Sequence, residues 1–541
     1  MLLMRASPAI LVAMREIPVL IVGGGPVGLT ASALLSHHGV PSLLVERHPG
    51  TAVHPKARGI NVRTMEVYHQ LGVEQAIREA GLPAGRARFI IWSHTLAGEE
   101  IERRVPARSG PQSQALSPVA NCLCAQDYLE PVLRAFAERQ PGAELCFGTE
   151  LTTFEQDRDG VTATLTDRAA GRETPVHAQY MIAADGAQSR VRRALGVKML
   201  GKDDVYESVN VLIKADLRPW TEHRPASLYF IEHPSIKATF LTINGVDRWG
   251  FLVNSLADYG LTAADFTVER TTELVRIAAG VPDLPVTVLG IAPWTASAHV
   301  AERYRHDRIF LAGDAAHEMP PTGGFGLNTG VQDVHNLAWK LAGVLHGWAG
   351  ASILESYDTE RQPVGRVITE QSLANSISMG RLGKTPGLAR PEFLNEQGLM
   401  YGASYASSAV VPDGTPPTPV ANPVTDYVPS ARPGGRAPHA WLTRNGERVS
   451  TIDLVGRRFV LLASGDAWRE AARSVVTRVP LDVWTIGRDL NDPDGQWHAT
   501  YAIETGGAVL VRPDGYVAWR ARTAVADGPA VLRGAFTSIL G

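Results

Sequence analysis

The stretch Ile17–Gly50, IPVLIVGGGPVGLTASALLSHHGVPSLLVERHPG, decides the reading of the fold. An apolar, β-branched run turns at Gly23-Gly24-Gly25, apolar residues then recur at helical spacing, and a second run, Pro41 to Val45, ends in Glu46. That order predicts a strand, turn, helix and strand in one unit of about thirty residues. The segment Gly23-Gly24-Gly25-Pro26-Val27-Gly28 matches G-x-G-x-x-G, a weak signal alone. Here it follows a strand, opens a helix and precedes Glu46 by eighteen residues, the context a dinucleotide site requires. Gly23, Gly25 and Gly28 let the backbone approach a pyrophosphate, the helix N-terminus offers unpaired N–H groups, and the Glu46 carboxylate accepts from ribose hydroxyls. Pro26 and Arg47 join them as candidate contacts. Glu46 suits a ribose with a free 2′-hydroxyl, so FAD or NAD fits better than NADP. A glycine turn used only for packing is the plainer alternative.

Two further apolar strands stop at acidic turns, YMIAADGAQSR at Asp185 and RIFLAGDAAH at Asp314. Ligands collect at the carboxyl ends of strands in an open α/β sheet, so these endings and Glu46 are expected at one site. The second leads into GDAAHEMPPTGGFGLNTGVQD, Gly313–Asp333. Asp314 is placed to accept from the ribityl hydroxyls of a flavin. Pro320 and Pro321 stiffen the approach to Gly323, Gly324 and Gly326, and the amides near Gly326, Leu327 and Asn328 open a helix. A reduced flavin carries negative charge around N1 and its C2 carbonyl, and a helix N-terminus suits an anion there. A simple surface turn is the alternative.

Between about 200 and 290 the segments SVNVLIKADL, ASLYFIEHP, KATFLTIN and RWGFLVN are short, alternating and turn-bounded, which predicts an antiparallel sheet able to face a substrate. Tyr229 on that sheet is a candidate contact for a phenol, with sheet packing as its alternative. Val331, Val334, Leu337, Leu341, Val344, Leu345 and Trp348 follow a helical stripe. Eight prolines between Val411 and His439 exclude a persistent helix or strand and read as a linker. Beyond it lies a small β-α-β-β pattern.

The chain has 541 residues, room for several domain-sized units, with a formal charge of -3 and 20% charged residues. No basic field is present to hold nucleic acid or an anionic membrane, so small molecules are the expected partners. Cys122, Cys124 and Cys146 fit neither a disulfide framework nor a zinc spacing, no metal site is expected, and a reducing cytoplasm is the simplest setting. No run of eighteen apolar residues predicts a membrane span, and the opening MLLMRASPAILVAMREIPVL lacks a cleavage site. Its first thirteen residues read as a dispensable extension. His317 is expected to pack rather than to act as a base.

Together GGGPVG, DGAQSRVR and GDAAHEMPPTGGFGLNTGVQDVHNLAWKL resemble the aromatic-ring hydroxylases, flavoprotein monooxygenases related to p-hydroxybenzoate hydroxylase and phenol hydroxylase, over about Pro18 to Asn375. SARPGGRAPHAWL and LVRPDGYVAWR extend the likeness to longer members that include aklavinone 11-hydroxylase and the chlorophenol hydroxylases. The resemblance implies an α/β fold: a Rossmann-like FAD-binding domain of the GR2 type (15–200 and 290–400, with 80–120 reaching the substrate side) and a substrate sheet (201–289). A Pro-rich linker (401–438) and a thioredoxin-like C-terminal domain (439–541) complete it. That last domain lacks CxxC and any cysteine, which excludes thiol exchange there.

Carried over by position, Gly23, Gly25 and Gly28 meet the FAD diphosphate and Glu46 its ribose. Arg58 in HPKARGINVRTME lies near the flavin, Gln126 in CAQDYLEPVL on the ribityl chain, and Gly313 and Asp314 at the ribityl region. Pro321, Gly324, Gly326, Leu327 and Asn328 lie at the ring. Asp185, Gly186 and Arg192 correspond to a motif implicated in FAD and NAD(P)H handling. Arg58, Tyr229 and Pro321 are the candidate catalytic residues.

The activity implied is hydroxylation of a phenolic or polycyclic polyketide aromatic: NADPH or NADH reduces FAD, O₂ is captured, and a flavin C4a-hydroperoxide delivers one oxygen. The protein's part is to bind, orient and keep water out. A Baeyer-Villiger or oxidative-decarboxylation flavoprotein of the same fold is the rival, and a flavin-binding partner without turnover is the rival from another class. Monomer and homodimer are both open.

Overall fold

The computed structural model describes residues 14–106, 115–379, 390, 392–475 and 478–541. The reading of the first thirteen residues lies outside them. Strand Arg15–Val22 forms because Val19, Leu20 and Ile21 are fully buried, covered on both faces as a central parallel strand must be. It pairs in parallel with Ser42–Glu46 on one side and Glu173–Ala183 on the other, with Ile21 opposite both Leu44 and Ile182. Ile309–Leu311 adds beyond Glu173–Ala183, and Ala143–Phe147 beyond Ser42–Glu46. Val22 therefore lies beside Val45 and Ala183, and Ala183 beside Leu311. This register delivers the glycine turn, Glu46, the Asp185 turn and the Asp314 turn to one edge, as the strand endings predicted.

Helix Pro26–His37 follows the glycine turn and packs against the long helix Gly326–Leu345. Gly330 makes the close approach possible. A Cβ there would come within 2.6 Å of Val27 Cγ2 and 2.8 Å of the Gly313 Cα.

A second sheet runs in the order His317–Glu318, Thr287–Ala301, Met199–Lys214, Arg248–Asn254, Ile236–Thr242, Ala226–His233, Phe89–Ser93, Glu100–Arg104. All neighbours are antiparallel except Ala226–His233 with Phe89–Ser93. One face buries Tyr229, Trp249, Phe251 and Val253 with Leu274 and Val275 of helix Val268–Ala279. The opposite face carries Leu228 and Phe230 with Trp92 and meets Met379, Phe393 and Leu394.

The C-terminal unit has a four-stranded sheet, Leu481–Thr485, Phe459–Ala463, Ala508–Val511, Val517–Ala521, in which only the first pair is parallel. Helices Ala467–Val475 and Gly528–Leu540 pack together on it. This unit is not tethered loosely. Phe459, Leu461, Leu510 and Phe536 belong to the same apolar cluster as Val19, Val331 and Trp339. The proline-rich stretch has little regular structure, as its composition predicts, yet Tyr405, Ala431 and Arg436 in it are buried.

Buried ions seal the junction. Glu360 accepts from Lys340 Nζ at 2.8 Å and Arg512 Nη1 at 2.6 Å, and all three are fully buried. Glu66 accepts from Arg63 and Arg436. Burial alone would raise the Glu66 pKa, but those two guanidiniums outweigh it and hold the carboxyl at about 2.

Candidate active site

The glycine turn is built by contact. Gly23 has φ +113°, donates its N–H to the Val45 carbonyl at 2.8 Å, and leaves no room for a Cβ, which would fall 2.2 Å from the Ala184 carbonyl oxygen. A Cβ on Gly28 would sit 2.0 Å from the Gly23 oxygen. Gly25 differs: among the described residues nothing lies within 4 Å of its Cβ direction. It caps helix Pro26–His37 without a side-chain acceptor and with Pro26 in the first turn, so the amides there face open space.

Glu46 is pinned beside this opening. Its Oε2 accepts from Gly24 N at 2.7 Å and its Oε1 from His48 N at 2.8 Å. Each oxygen keeps a lone pair for a ribose hydroxyl. Arg47 points outward, with Nε 3.3 Å from His48 Nε2.

Asp185 Oδ2 accepts from Arg190 N at 2.8 Å and Val191 N at 3.3 Å. Its buried Oδ1 has no partner among the described residues, an acceptor directed at a missing donor. Gly186 follows at φ +81°. Arg192 joins this turn to the next: its Nη2 donates to the Ala187 carbonyl at 2.8 Å and its Nη1 to the Ala315 carbonyl at 3.1 Å.

Asp314 sits in a short 3₁₀ turn after Gly313, whose φ of +62° turns the chain. Asp314 is exposed, yet protein surrounds its side chain closely enough that desolvation raises its pKa, against the pull of His317 and Lys56. A carboxyl so placed gains from hydroxyl donors, the chemistry of a ribityl chain.

Both ends of that turn are held by Asp333. Its Oδ2 accepts from Gly313 N at 3.2 Å and from His317 Nε2 at 2.7 Å. His317 is fully buried and packs as expected, but as the partner of an acid. Burial would raise the Asp333 pKa; His317 and Arg361 together hold it below the ordinary carboxylate range.

The loop from Pro320 to Phe325 is fastened from behind. Ser372 Oγ donates to the Pro320 carbonyl at 2.5 Å and the Thr322 carbonyl at 3.0 Å, while Pro321 and Gly324 stay exposed. Gly323 and Gly324 adopt φ of +110° and +69°. Helix Gly326–Leu345 then begins with no side-chain cap, which leaves the amides of Gly326, Leu327 and Asn328 for an anion. The Asn328 side chain does separate work: Oδ1 accepts from Asn61 N at 2.9 Å, and Nδ2 donates to Gly59 O at 2.9 Å and Gly324 O at 2.7 Å. Asn61 in turn caps helix Val62–Leu71 through Thr64 N at 2.9 Å. The starts of two helices are thus locked together.

Arg58 and Gln126 occupy this neighbourhood with their side chains engaged. Arg58 Nη2 donates to the Ser227 carbonyl at 2.6 Å and Nη1 to the Thr242 carbonyl at 3.2 Å, joining the loop before helix Val62–Leu71 to the second sheet. Gln126 Oε1 accepts from Ala57 N at 3.2 Å and its Nε2 donates to Glu130 at 2.7 Å.

Tyr229 is placed elsewhere. Its hydroxyl donates to the Arg224 carbonyl at 2.8 Å and accepts from Ala226 N at 3.0 Å, within the apolar core under the sheet, and burial pushes its pKa up to about 12. The expectation that it meets a phenol is therefore corrected: its neighbours Leu228 and Phe230 face the opposite way, because adjacent strand residues alternate sides.

These features fit FAD: an open helix start beside a pinned ribose acceptor, an orphaned Asp185 oxygen, and a second open helix start beside Asp314. Residues 16–372 match the model of the FAD binding domain, and residues 430–541 that of the aromatic-ring hydroxylase C-terminal domain. The chain belongs to the FAD-dependent aromatic-ring hydroxylases.

This hydroxylase is 40% identical to the tetracenomycin A2 monooxygenase-dioxygenase of Streptomyces glaucescens, over 97% of each chain. Among solved structures, a ternary complex of aklavinone-11 hydroxylase with FAD and aklavinone matches with TM-score 0.88 and 36% identity, over 97% of this chain and 99% of that one. The flavin-dependent monooxygenase PieE, in complex with FAD and substrate, matches with TM-score 0.89 and 35% identity over the same shares. The aromatic-ring hydroxylase described here is accordingly an FAD-dependent monooxygenase. None of its described helices is long and apolar enough to cross a membrane, and no group of three or more potential metal ligands occurs among the described residues.

Asn61, Asp333, Arg361, Trp92 and Phe230 were not singled out from the sequence. Asp333 had a signal: an acid one turn before the apolar Leu337 on a buried stripe needs a partner.

Proposed function

We propose that this enzyme hydroxylates a polycyclic phenolic of the aromatic-polyketide type, with NADPH or NADH as reductant and O₂ as co-substrate. The observation that carries the substrate class is the broad apolar wall opposite Tyr229. Trp92 and Phe230 rings pack at 5.0 Å, Leu228 adjoins them, and Met379, Phe393 and Leu394 close over them. Phe230 and Leu394 are buried in this cluster while Trp92, Leu228, Met379 and Phe393 are half-buried, and a fused-ring substrate covers the part left open better than a single ring does. The relatives that act on tetracenomycin A2 and aklavinone support the same class.

FAD, when bound, supplies the electron storage and the oxygen-transfer chemistry. Gly25 and the start of helix Pro26–His37 take the diphosphate, and Glu46 the adenosine ribose. Asp314 takes the ribityl hydroxyls. The amides at Gly326, Leu327 and Asn328 stabilise negative charge at the pyrimidine end of the ring, with Pro321 setting the loop's approach. Arg58 holds the sheet over this loop by its two carbonyl contacts and acts as a positioning residue. Apolar residues of the wall exclude water from the reacting face. Asp185 and Arg192 are assigned to the handling of both FAD and the reductant.

Oxidation of NADPH and NADH by the FAD-loaded enzyme is measured with a tetracyclic phenol, with a simple phenol, and without either, and products are analysed under ¹⁸O₂. Tetracyclic-dependent oxidation with one ¹⁸O in a ring hydroxyl is expected. A lactone or decarboxylated product, or stimulation by the simple phenol alone, overturns the assignment.

A further inference from the structure

The C-terminal unit contains no cysteine, so its fold serves no thiol chemistry, yet an unbroken chain of contacts runs from it to the flavin turn. Tyr516 follows the tight turn at Gly515 and stacks on Tyr405, with ring centroids 4.1 Å apart and planes at 26°. The Tyr405 hydroxyl accepts from Arg361 Nη1 at 3.0 Å. Arg361 Nε donates to Asp333 Oδ1 at 2.9 Å, and its Nη2 to the Thr329 carbonyl at 3.3 Å. Asp333 Oδ2 then holds Gly313 N and His317 Nε2. Arg361 and Asp333 are 0% exposed, and Tyr405 and Tyr516 are 4% and 5% exposed.

We propose that the C-terminal unit is a positioning element for the flavin: Tyr516 packs on Tyr405 and so orients Arg361, which through Asp333 and the Thr329 carbonyl sets the Asp314 turn and the first turn of helix Gly326–Leu345.

Three physical points favour this over mere packing. A fully buried guanidinium cannot release an acceptor without leaving an unpaired donor, so its orientation follows that of its partners. Tyr405 is the one of those partners that belongs to the proline-rich stretch, and Tyr516 covers its ring. The attraction of a helix start for an anion fades within a single turn, so a small shift of Gly326 relative to the ring changes how well the reduced, negatively charged flavin is held. The inference rests on FAD binding, not on the substrate class proposed above.

The test uses the full-length protein and three variants. Tyr405→Phe removes one oxygen and keeps the stack, Tyr516→Leu removes the stack, and Tyr516→Phe keeps it. FAD affinity is measured by flavin fluorescence on the apoprotein, the flavin midpoint potential by dye-coupled titration, and folding by thermal melting. Loss of one hydrogen bond to a buried charge corresponds to about a tenfold effect on binding. Y405F and Y516L are expected to bind FAD about tenfold more weakly and to shift the potential to more negative values, while Y516F matches the parent in both. Should Y516L not fold, Y405F decides alone. The proposal is overturned if folded Y405F keeps the parent's affinity and potential, or if affinity falls only in step with melting temperature at an unchanged potential. Neither result touches the substrate assignment, which product analysis decides separately.

Discussion

Phe230 packs on Trp92 across two strands, ring centroids 5.0 Å apart, on the side of the sheet opposite its neighbour Tyr229. The pair separates recognition from support within consecutive residues. Phe230→Ala is expected to raise KM for a polycyclic substrate by about tenfold through the Trp92 ring it supports and, because Phe230 is itself buried, to cost about 3–5 kcal/mol of stability. Tyr229→Phe is expected to leave both constants near the parent's and to cost about 1–3 kcal/mol of stability through its lost bonds to Arg224 and Ala226. Steady-state kinetics and urea midpoints check both; a Y229F enzyme that folds but does not turn over would return Tyr229 to the site.

The glycines of the first turn divide in the same way. Gly28→Ala drives a Cβ into the Gly23 carbonyl at 2.0 Å, so a misfolded or flavin-free protein is expected. Gly25→Ala meets nothing within 4 Å among the described residues, so the chain should fold normally and lose affinity for FAD alone. Circular dichroism together with the ratio of flavin to protein absorbance distinguishes the outcomes, and a G25A protein with full flavin content would remove Gly25 from the diphosphate site.

Asn328→Ala frees Asn61 N, Gly59 O and Gly324 O together. Unsatisfied buried backbone groups predict a loss of about 2–4 kcal/mol and a weakened flavin, since the anchor between the two helix starts is gone. Chemical denaturation of the FAD-free and FAD-bound forms measures both, and equal destabilisation of the two forms would confine Asn328 to a folding role.

His69 bridges the two parts of the molecule, with Nε2 3.0 Å from Asp453 and Nδ1 2.7 Å from Glu74. The bond to Asp453, and then that to Glu74, raises its pKa from 6.5 to about 10. A raised value in the folded state means the bridge contributes fully below pH 6.5 and loses its contribution as pH rises toward 10. The melting temperature should fall over that window, and His69→Gln should flatten the fall; an unchanged slope in H69Q refutes the assignment.

The strand endings were legible because glycine turns and acids sit at the ends of apolar runs, and parallel pairing does the rest: once Val22 aligns with Val45 and Ala183, Glu46, Asp185 and Asp314 must meet. The choice for Tyr229 between phenol contact and sheet packing was hard to read for a related reason. In SLYFIEH both faces are apolar, so alternation gives no clue to which side meets a ligand. The proline-rich stretch was readable as irregular, but proline density says nothing of what it packs against, and Tyr405 and Arg436 emerged as buried only in three dimensions. Asp333 and Arg361 lie 28 positions apart on different helices, a pairing no local pattern encodes.

The apolar cluster that starts at Ile17 continues without a break through Trp339 to Phe459 and Leu540. Such continuity leaves no seam along which the two parts could melt separately. Calorimetry should record a single cooperative transition, and a clip in the proline-rich stretch should leave the fragments associated.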